Sequence, residues 1–306
     1  MKPKQILPLL LIALIWGSYY VASQQVAKGL STFPTGIVIR VVTLVLLTVI
    51  MGLRGELPLL LKVKGVLPRL LMIGCMGFLL DFTAFIGLQL SPAGSGTALL
   101  KCDIIFVSLI SMIIYKTRFT KIDWILTLVM LFGVFMVMGV DFRNLQLGNA
   151  GSIFFILSAL FVSINAFIIK SVQLDKDNPV CDDVVAYYNN IVTMILFIIA
   201  ATVSGTIGQL ADLQTDRYLL MVSLLAGLGQ TGIYLVYYYD LRRFPVWIVK
   251  VFLLLMPIVS AIETFLIFHE HMVSGQYIGM VIVLAGALGI LLEQNRKPAE
   301  ELASAR

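Results

Sequence analysis

The stretch Ser31–Leu53 reads STFPTGIVIRVVTLVLLTVIMGL and carries one charge, Arg40. A bilayer core about 30 Å thick takes roughly 20 apolar helical residues, so this run has the length of one membrane-spanning helix. A spanning strand would need segments of about 10 residues alternating in hydropathy, and the run does not alternate. The whole chain shares this character. Of its 306 residues 59% are hydrophobic and 13% charged, with a mean hydropathy of +0.98. A soluble domain carries about 25% charged residues, and disorder needs low hydrophobicity. Both classes are therefore excluded.

Working outward, comparable runs recur. Gln5–Ala27 has no charge, and Leu70–Leu100 has one before residue 101, Asp81. The latter is too long for one span, and Ser91-Pro92 divides it because proline and its predecessor disfavour continued helix. The predicted spans are Gln5–Ala27, Ser31–Leu53, 68–89, 92–115, Trp124–Val140, one within Asn144–Ile169, one within Val184–Ala211, Tyr218–Tyr239, Phe244–Phe268 and Met272–Leu292. These make ten helices with short links, an all-α membrane protein without room for a soluble domain. With the N-terminus inside, sixteen of the 22 basic residues fall in cytoplasmic segments and three (Lys28, Arg143 and Arg217) outside. That bias predicts both termini in the cytoplasm and a multi-pass protein of the plasma (inner) membrane. It also accounts for the net charge of +5 without nucleic acid. The run after Met-Lys-Pro-Lys is too long for a cleavable signal, whose apolar region is about 7–15 residues. Cys75, Cys102 and Cys181 are scattered among apolar runs and suggest neither disulfide nor metal.

The two halves repeat. At an offset of 149, Leu70-Leu71-Met72 matches Leu219-Leu220-Met221, Asp81 falls on Gln230 and Lys101 on Lys250. A four-residue shift near 269–272 then brings Gly133 onto Gly286, and upstream Trp16-Gly17-Ser18 meets Phe161-Val162-Ser163 at offset 145. The expected units are 1–142 and 143–306. Each holds five spans, an odd number, so the second enters the membrane in the opposite sense. Such inverted repeats place a cavity near the midplane between the halves and suit alternating access.

Five features carry a resemblance to a known family: Trp16-Gly17-Ser18, Arg40, Thr97-Ala98-Leu99-Leu100, Pro257, and the tail from His269-Glu270 through Gln276-Tyr277-Ile278-Gly279 to Leu284-Ala285-Gly286. On these the chain resembles the EamA family of the drug/metabolite transporter superfamily over roughly residues 6–292. The resemblance implies ten helices in two five-helix halves and export of amino acids, drugs or other small metabolites. Cys102-Asp103-Ile104-Ile105 departs from it, because the family usually has a proline there and Lys101 and Asp103 replace apolar or small residues.

Six ionisable residues lie inside predicted spans: Arg40, Asp81, Lys101, Asp103, Lys250 and Glu263. Each costs about 2.5–3.5 kcal/mol at a helix centre on insertion scales, so each must pair, face water or snorkel. Arg40 and Asp81 share a depth on consecutive helices and are expected to pair. Lys101 and Asp103 point to nearly opposite sides of one helix, at about 100° per residue, and need separate partners. Lys250 either snorkels to the inner surface or, as counterpart of Lys101, builds a positive zone for a carboxylate or phosphate. Glu263 is either a rim group or a proton-carrying acid. Trp16, Tyr20, Asn165, Gln230 and Tyr234 are candidate cavity-wall residues, and Tyr234, Tyr237 and Tyr238 share one helical face. Tyr238 and Trp247, near span ends, read first as interfacial anchors. Pro257 is a candidate kink, and Gly275-x-x-x-Gly279 a small-residue packing motif.

The substrate-binding set predicted from sequence is thus Trp16, Tyr20, Lys101, Asp103, Asn165, Gln230, Tyr234 and Lys250. Arg40, Asp81 and Glu263 are coupling or ion-pair candidates. The expected function is secondary transport, as an exporter of a small polar, amino-acid-like metabolite, with protons as a coupling ion through Asp81, Asp103 or Glu263. The alternatives are an organic-cation carrier, since aromatics with acids hold cations, or a proton-coupled importer. An intramembrane enzyme or receptor finds no catalytic constellation in the sequence. There is no nucleotide loop or nucleophile elbow, and His269-Glu270-His271 is a weak metal motif, so neither cofactor nor metal is expected. The expected partners are the metabolite and the lipid bilayer.

Overall fold

The computed structural model describes residues 3–90, 99–140, 150–269 and 271–304. Its α-helices are α1 (Pro3–Gly29), α2 (Thr32–Leu53), α3 (Leu67–Leu90), α4 (Asp103–Tyr115), α5 (Lys121–Val137), α6 (Ala150–Gln173), α7 (Asp182–Val203), α8 (Arg217–Arg243), α9 (Val246–Leu253), α10 (Met256–Phe268) and α11 (Ser274–Ser304). Short 3-10 helices, Leu57–Leu61 and Ile207–Gln214, follow α2 and α7. Among the described residues, eight helices, with α9 and α10 taken together, are long and apolar enough to cross a membrane. Of the others, α4 is a shorter apolar helix of 13 residues and α5 has 17. The span expected within Val184–Ala211 is α7, which ends at Val203, four residues before the second 3-10 helix.

Packing between the halves follows a pseudo-two-fold pattern. α1 packs on α8 as α6 packs on α3; α2 packs on α8 as α7 packs on α3; α1 packs on α10 as α6 packs on α4. The pairs α2–α7 and α5–α11 cross the axis.

Backbone details fix the register of the repeat. Gly55 and Gly205, 150 apart, both have φ +70° and end α2 and α7 with the same bonds: Gly55 N–H to Gly52 O and Glu56 N–H to Met51 O, against Gly205 N–H to Thr202 O and Thr206 N–H to Ala201 O. Beyond them the offset is 153. Lys116 (φ 51°) and His269 (φ 54°) are left-handed caps of α4 and α10, and these two helices match end to end. The Asp123 side chain accepts from Thr120 N–H at the start of α5, and the Gln276 side chain accepts from Val273 N–H at the start of α11. Thr193 Oγ1 donates to Gly74 O, and Thr43 Oγ1 to Gly227 O, one interlock seen twice. The change of three residues is the extra length of the second 3-10 helix, eight residues against five. The expected offset of 149 and the shift near 269–272 are therefore corrected. Lys101 corresponds to Leu254, and Lys250 to position 97, outside the described residues.

The fourth and ninth expected spans are both interrupted. Leu99-Leu100 is helical, Lys101-Cys102 turns, and α4 begins at Asp103. Equivalent residues Leu254-Leu255 separate α9 from α10. Bonds to the third preceding carbonyl tighten both breaks: Cys102 to Leu99 and Ile105 to Cys102, then Leu254 to Val251 and Leu255 to Phe252. Pro257 lacks the N–H that would continue the helix onto Leu253 O, so the expected kink is a full break just before it.

The α5–α11 seam is a backbone contact. A Cβ on Gly279 would lie 2.6 Å from Gly133 O and 2.8 Å from Val137 N, whereas one on Gly275 would meet nothing within 4 Å. Only half of the expected packing motif is in contact. Gly279→Val is expected to lower stability by about 1–3 kcal/mol, the usual cost of overpacking, and Gly275→Ala to change it by less than about 0.5 kcal/mol. Thermal unfolding of both variants in detergent checks this.

Candidate functional site

A cavity of about 480 Å³ lies between the halves, beside both helix breaks. All eight residues expected to bind substrate stand on its wall: Trp16 and Tyr20 from α1, Asn165 from α6, Gln230 and Tyr234 from α8, Lys101 and Asp103 from the first break, and Lys250 from α9. Arg40 and Asp81 join them, but Glu263 and Pro257 do not. Glu263 accepts from Ser18 Oγ, and Pro257 lines a smaller neighbouring cavity of about 270 Å³.

The buried charges are matched across elements. Arg40 Nη2 lies 2.9 Å from Asp81 Oδ2, and Nη1 donates to the Tyr234 hydroxyl. Asn190 Nδ2 holds the Arg40 carbonyl at 2.9 Å, pinning that turn of α2. Lys250 Nζ lies 2.9 Å from Asp103 Oδ2 and is 2% exposed. The lysine does not snorkel to the inner surface, because α9 is buried along its whole length and the ammonium is held by Asp103 on the cavity wall. Lys101 is different. Its Nζ reaches Met256 Sδ at 3.6 Å, a weak acceptor. No carboxylate lies within salt-bridge reach of it among the described residues.

Aromatic rings complete the wall. Trp16 meets Tyr237 edge-on at 5.2 Å, and Lys250 Nζ sits 6.0 and 5.6 Å from those two ring centroids. Tyr234 meets Tyr238 edge-on at 5.5 Å. Tyr238 and Trp247 are not interfacial anchors. Both are buried; Asn189 Nδ2 donates to the Tyr238 hydroxyl at 2.6 Å, and Trp247 packs on Phe119. Tyr19, beside Trp16 and Tyr20 on the first span, also stands on the wall, and Asn189 is a wall residue that sequence reasoning missed. Asn189 carried a signal, as an Asn-Asn pair within an apolar span.

One end of the bundle is sealed by polar contacts. Arg242 binds Asp182 through Nε at 2.8 Å and also donates to the Gln173 and Val180 carbonyls. Gln173 Nε2 bridges Asp182 Oδ1 and Tyr238 O. Arg54 pairs with Asp183, and Arg69 with Asp175, whose carboxyl that bond holds below the usual range. Lys170 Nζ caps the end of α8 by donating to Leu241 O and Phe244 O. These contacts tie the α6–α7 link to α2, α3 and α8. Toward the other end the wall extends to Gln24, Ala27, Thr35 and Gly36, beside the α1–α2 turn.

Long apolar helices around a charged cavity, eight of them among the described residues, in two matching halves, define an integral multi-pass membrane protein. The chain belongs to the EamA-like transporter family, whose pattern matches residues 3–139 and 149–292, one copy on each half. This family is of the drug/metabolite transporter type. A solved structure described only as a crystal structure of a protein is similar over 95% of this chain and 98% of its own, with a TM-score of 0.77 and 15% identity, a likeness of fold. No curated protein matches the chain significantly.

Removing one partner of a buried pair strands a charge, at about 3–5 kcal/mol. Asp103→Asn is therefore expected to destabilise strongly, and Asp103→Asn with Lys250→Met to recover most of that loss. Thermal unfolding of the single and double variants decides it.

Proposed function

We propose that this protein is a secondary active transporter that exports a small polar metabolite bearing a carboxylate or similar anionic group, amino-acid-like in character. In this reading ten spans cross the plasma membrane as two inverted five-helix units, 1–142 and 143–306, with both termini cytoplasmic. The substrate sits in the central cavity and is released by alternating access.

The observation that carries the reading is Lys101. It stands at a helix break on the wall of an intramembrane cavity, while Arg40 and Lys250 are each matched to an acid. An ammonium in that position is completed by an anionic ligand. Asn165 Oδ1, buried on the same wall without a hydrogen-bond partner among the described residues, supplies an acceptor for an ammonium or hydroxyl. The volume suits a metabolite, since small-molecule sites run about 300–1,000 Å³. The sealed end carries Arg54, Arg69, Lys170 and Arg242, which the basic-residue bias assigns to the cytoplasm, so this conformation faces outward.

An organic-cation carrier is less well supported, because Asp81 and Asp103 both already hold cations.

Purified protein in liposomes is expected to move a member of a panel of amino acids and small carboxylates, and failure to move any under any gradient would sink the reading. Lys101→Ala should weaken that substrate about 10–100-fold, the loss of one charge-assisted hydrogen bond of roughly 1.5–3 kcal/mol. Unchanged affinity would remove Lys101 from the site.

A further inference from the structure

Asp240 lies in the last turn of α8, one residue past the span Tyr218–Tyr239 expected from sequence, and so stood outside the intramembrane charges considered there. It is 0% exposed, and neither carboxyl oxygen has a hydrogen-bond partner among the described residues. Every other acid singled out within the spans has one: Asp81 has Arg40, Asp103 has Lys250, and Glu263 has Ser18.

The surroundings disfavour a negative charge. A helix C-terminus is the negative end of the backbone dipole, and a buried carboxylate without donors is among the costliest groups in a protein. Among the described residues, the neighbouring cations are committed elsewhere. From α6, Lys170 points its ammonium at Leu241 O and Phe244 O. From α7, Asp182 engages Arg242 and Asp183 engages Arg54, which follows α2. From α9, Lys250 engages Asp103. Arg243 stacks over the Tyr239 ring at 4.1 Å. α1 brings buried apolar Leu9, Ile12 and Ala13 to this half of the bundle. The 3-10 helix Ile207–Gln214 meets α8 at its opposite end.

Two connections place Asp240 between the cavity and the seal. Tyr237, one turn earlier on the same face, lines the cavity beside Trp16 and Lys250. The adjoining residues Leu241 and Arg242 are held by Lys170 and by Asp182, inside the seal.

We propose that Asp240 is a proton-binding site that carries a proton while the sealed end is closed and releases it to water when that end opens. The step is the loss of one proton from the carboxyl to cytoplasmic water, leaving a hydrated carboxylate. Closure must then recapture a proton, so opening of the seal is linked to pH. This deepens the transport reading, rests on it for the coupling role, and moves the coupling acid from Asp81, Asp103 or Glu263 to Asp240.

The test needs no substrate. Infrared difference spectra of the purified protein near neutral pH are expected to show a carboxylic-acid carbonyl stretch that is lost in Asp240→Asn and kept, shifted, in Asp240→Glu. Absence of the band from the parent, or its persistence in Asp240→Asn, overturns the site. The second measurement follows Cys181, half-buried at the start of α7 within the seal, with Cys75 and Cys102 replaced by serine. The ratio of its maleimide labelling rate in the parent to that in Asp240→Asn is expected to rise with pH, by at most about tenfold per pH unit for one linked proton. A flat ratio overturns the coupling role. A liposome panel without flux, together with a band lost in Asp240→Asn, overturns the transport reading and upholds the proton site.

Discussion

Charge matching across the cavity is the constraint on which the other features turn. In a low-dielectric interior an ionised side chain survives only beside an opposite charge with its remaining hydrogen bonds filled. Arg40 and Asp81 join α2 to α3 within the first half. Lys250 and Asp103 join α9 to the head of α4, one half to the other. The first pair is finished by Tyr234 from the second half and by Asn190, which fixes the arginine backbone. Each pair therefore needs both halves to be assembled, and each places charge on the cavity wall. The wall's charges are paired at Arg40–Asp81 and Lys250–Asp103, while among the described residues Lys101 meets only Met256 Sδ.

The helix breaks belong to the same logic. A continuous helix satisfies its own backbone and offers a ligand only side chains. Breaking it near mid-membrane frees backbone groups where irregular chain is tolerated, beside a cavity. Here Lys101 lies in one break, and Leu254, at the equivalent place, lies on the same wall. Asp103 opens the helix after its break, where a carboxylate is favoured by the dipole, and is thereby presented to Lys250.

Much of this was legible from the chain itself. Helix-length apolar runs, the depth shared by Arg40 and Asp81, and the aromatic and amide residues of spans one, six and eight all bear on the cavity as read. What was not legible depends on contacts between the halves. Lys250 reads as a snorkelling lysine because sequence spacing shows its distance to a span end but not that α9 is buried along its length. Before residue 269 the register slipped by four because apolar residues align at many offsets; the turn formers were the informative positions, Asp123 with Gln276 already falling in register and Gly55 with Gly205 going unused. Tyr238 read as an anchor for a related reason. Distance from a span end does not reveal that Asn189 on another helix is waiting for its hydroxyl.

The two ends of the cavity are built from different materials, and this bears on how such a protein changes state. Around the α1–α2 turn the contacts are mainly apolar, with Gly36 against Phe197 and Gly29 against Leu219. The opposite end is held by guanidinium–carboxylate contacts converging on the α6–α7 link. Apolar surfaces re-pack with little directional penalty, whereas a charged lattice is matched in one geometry and loses several bonds together when it parts. In the proposed transport cycle, opening the polar end breaks these bonds together, and the hydration it brings reaches the groups packed behind it. A lattice of paired charges can be opened by water alone. An unpaired acid behind it makes the same opening depend on proton concentration, which is the added property that Asp240 gives to this end of the bundle.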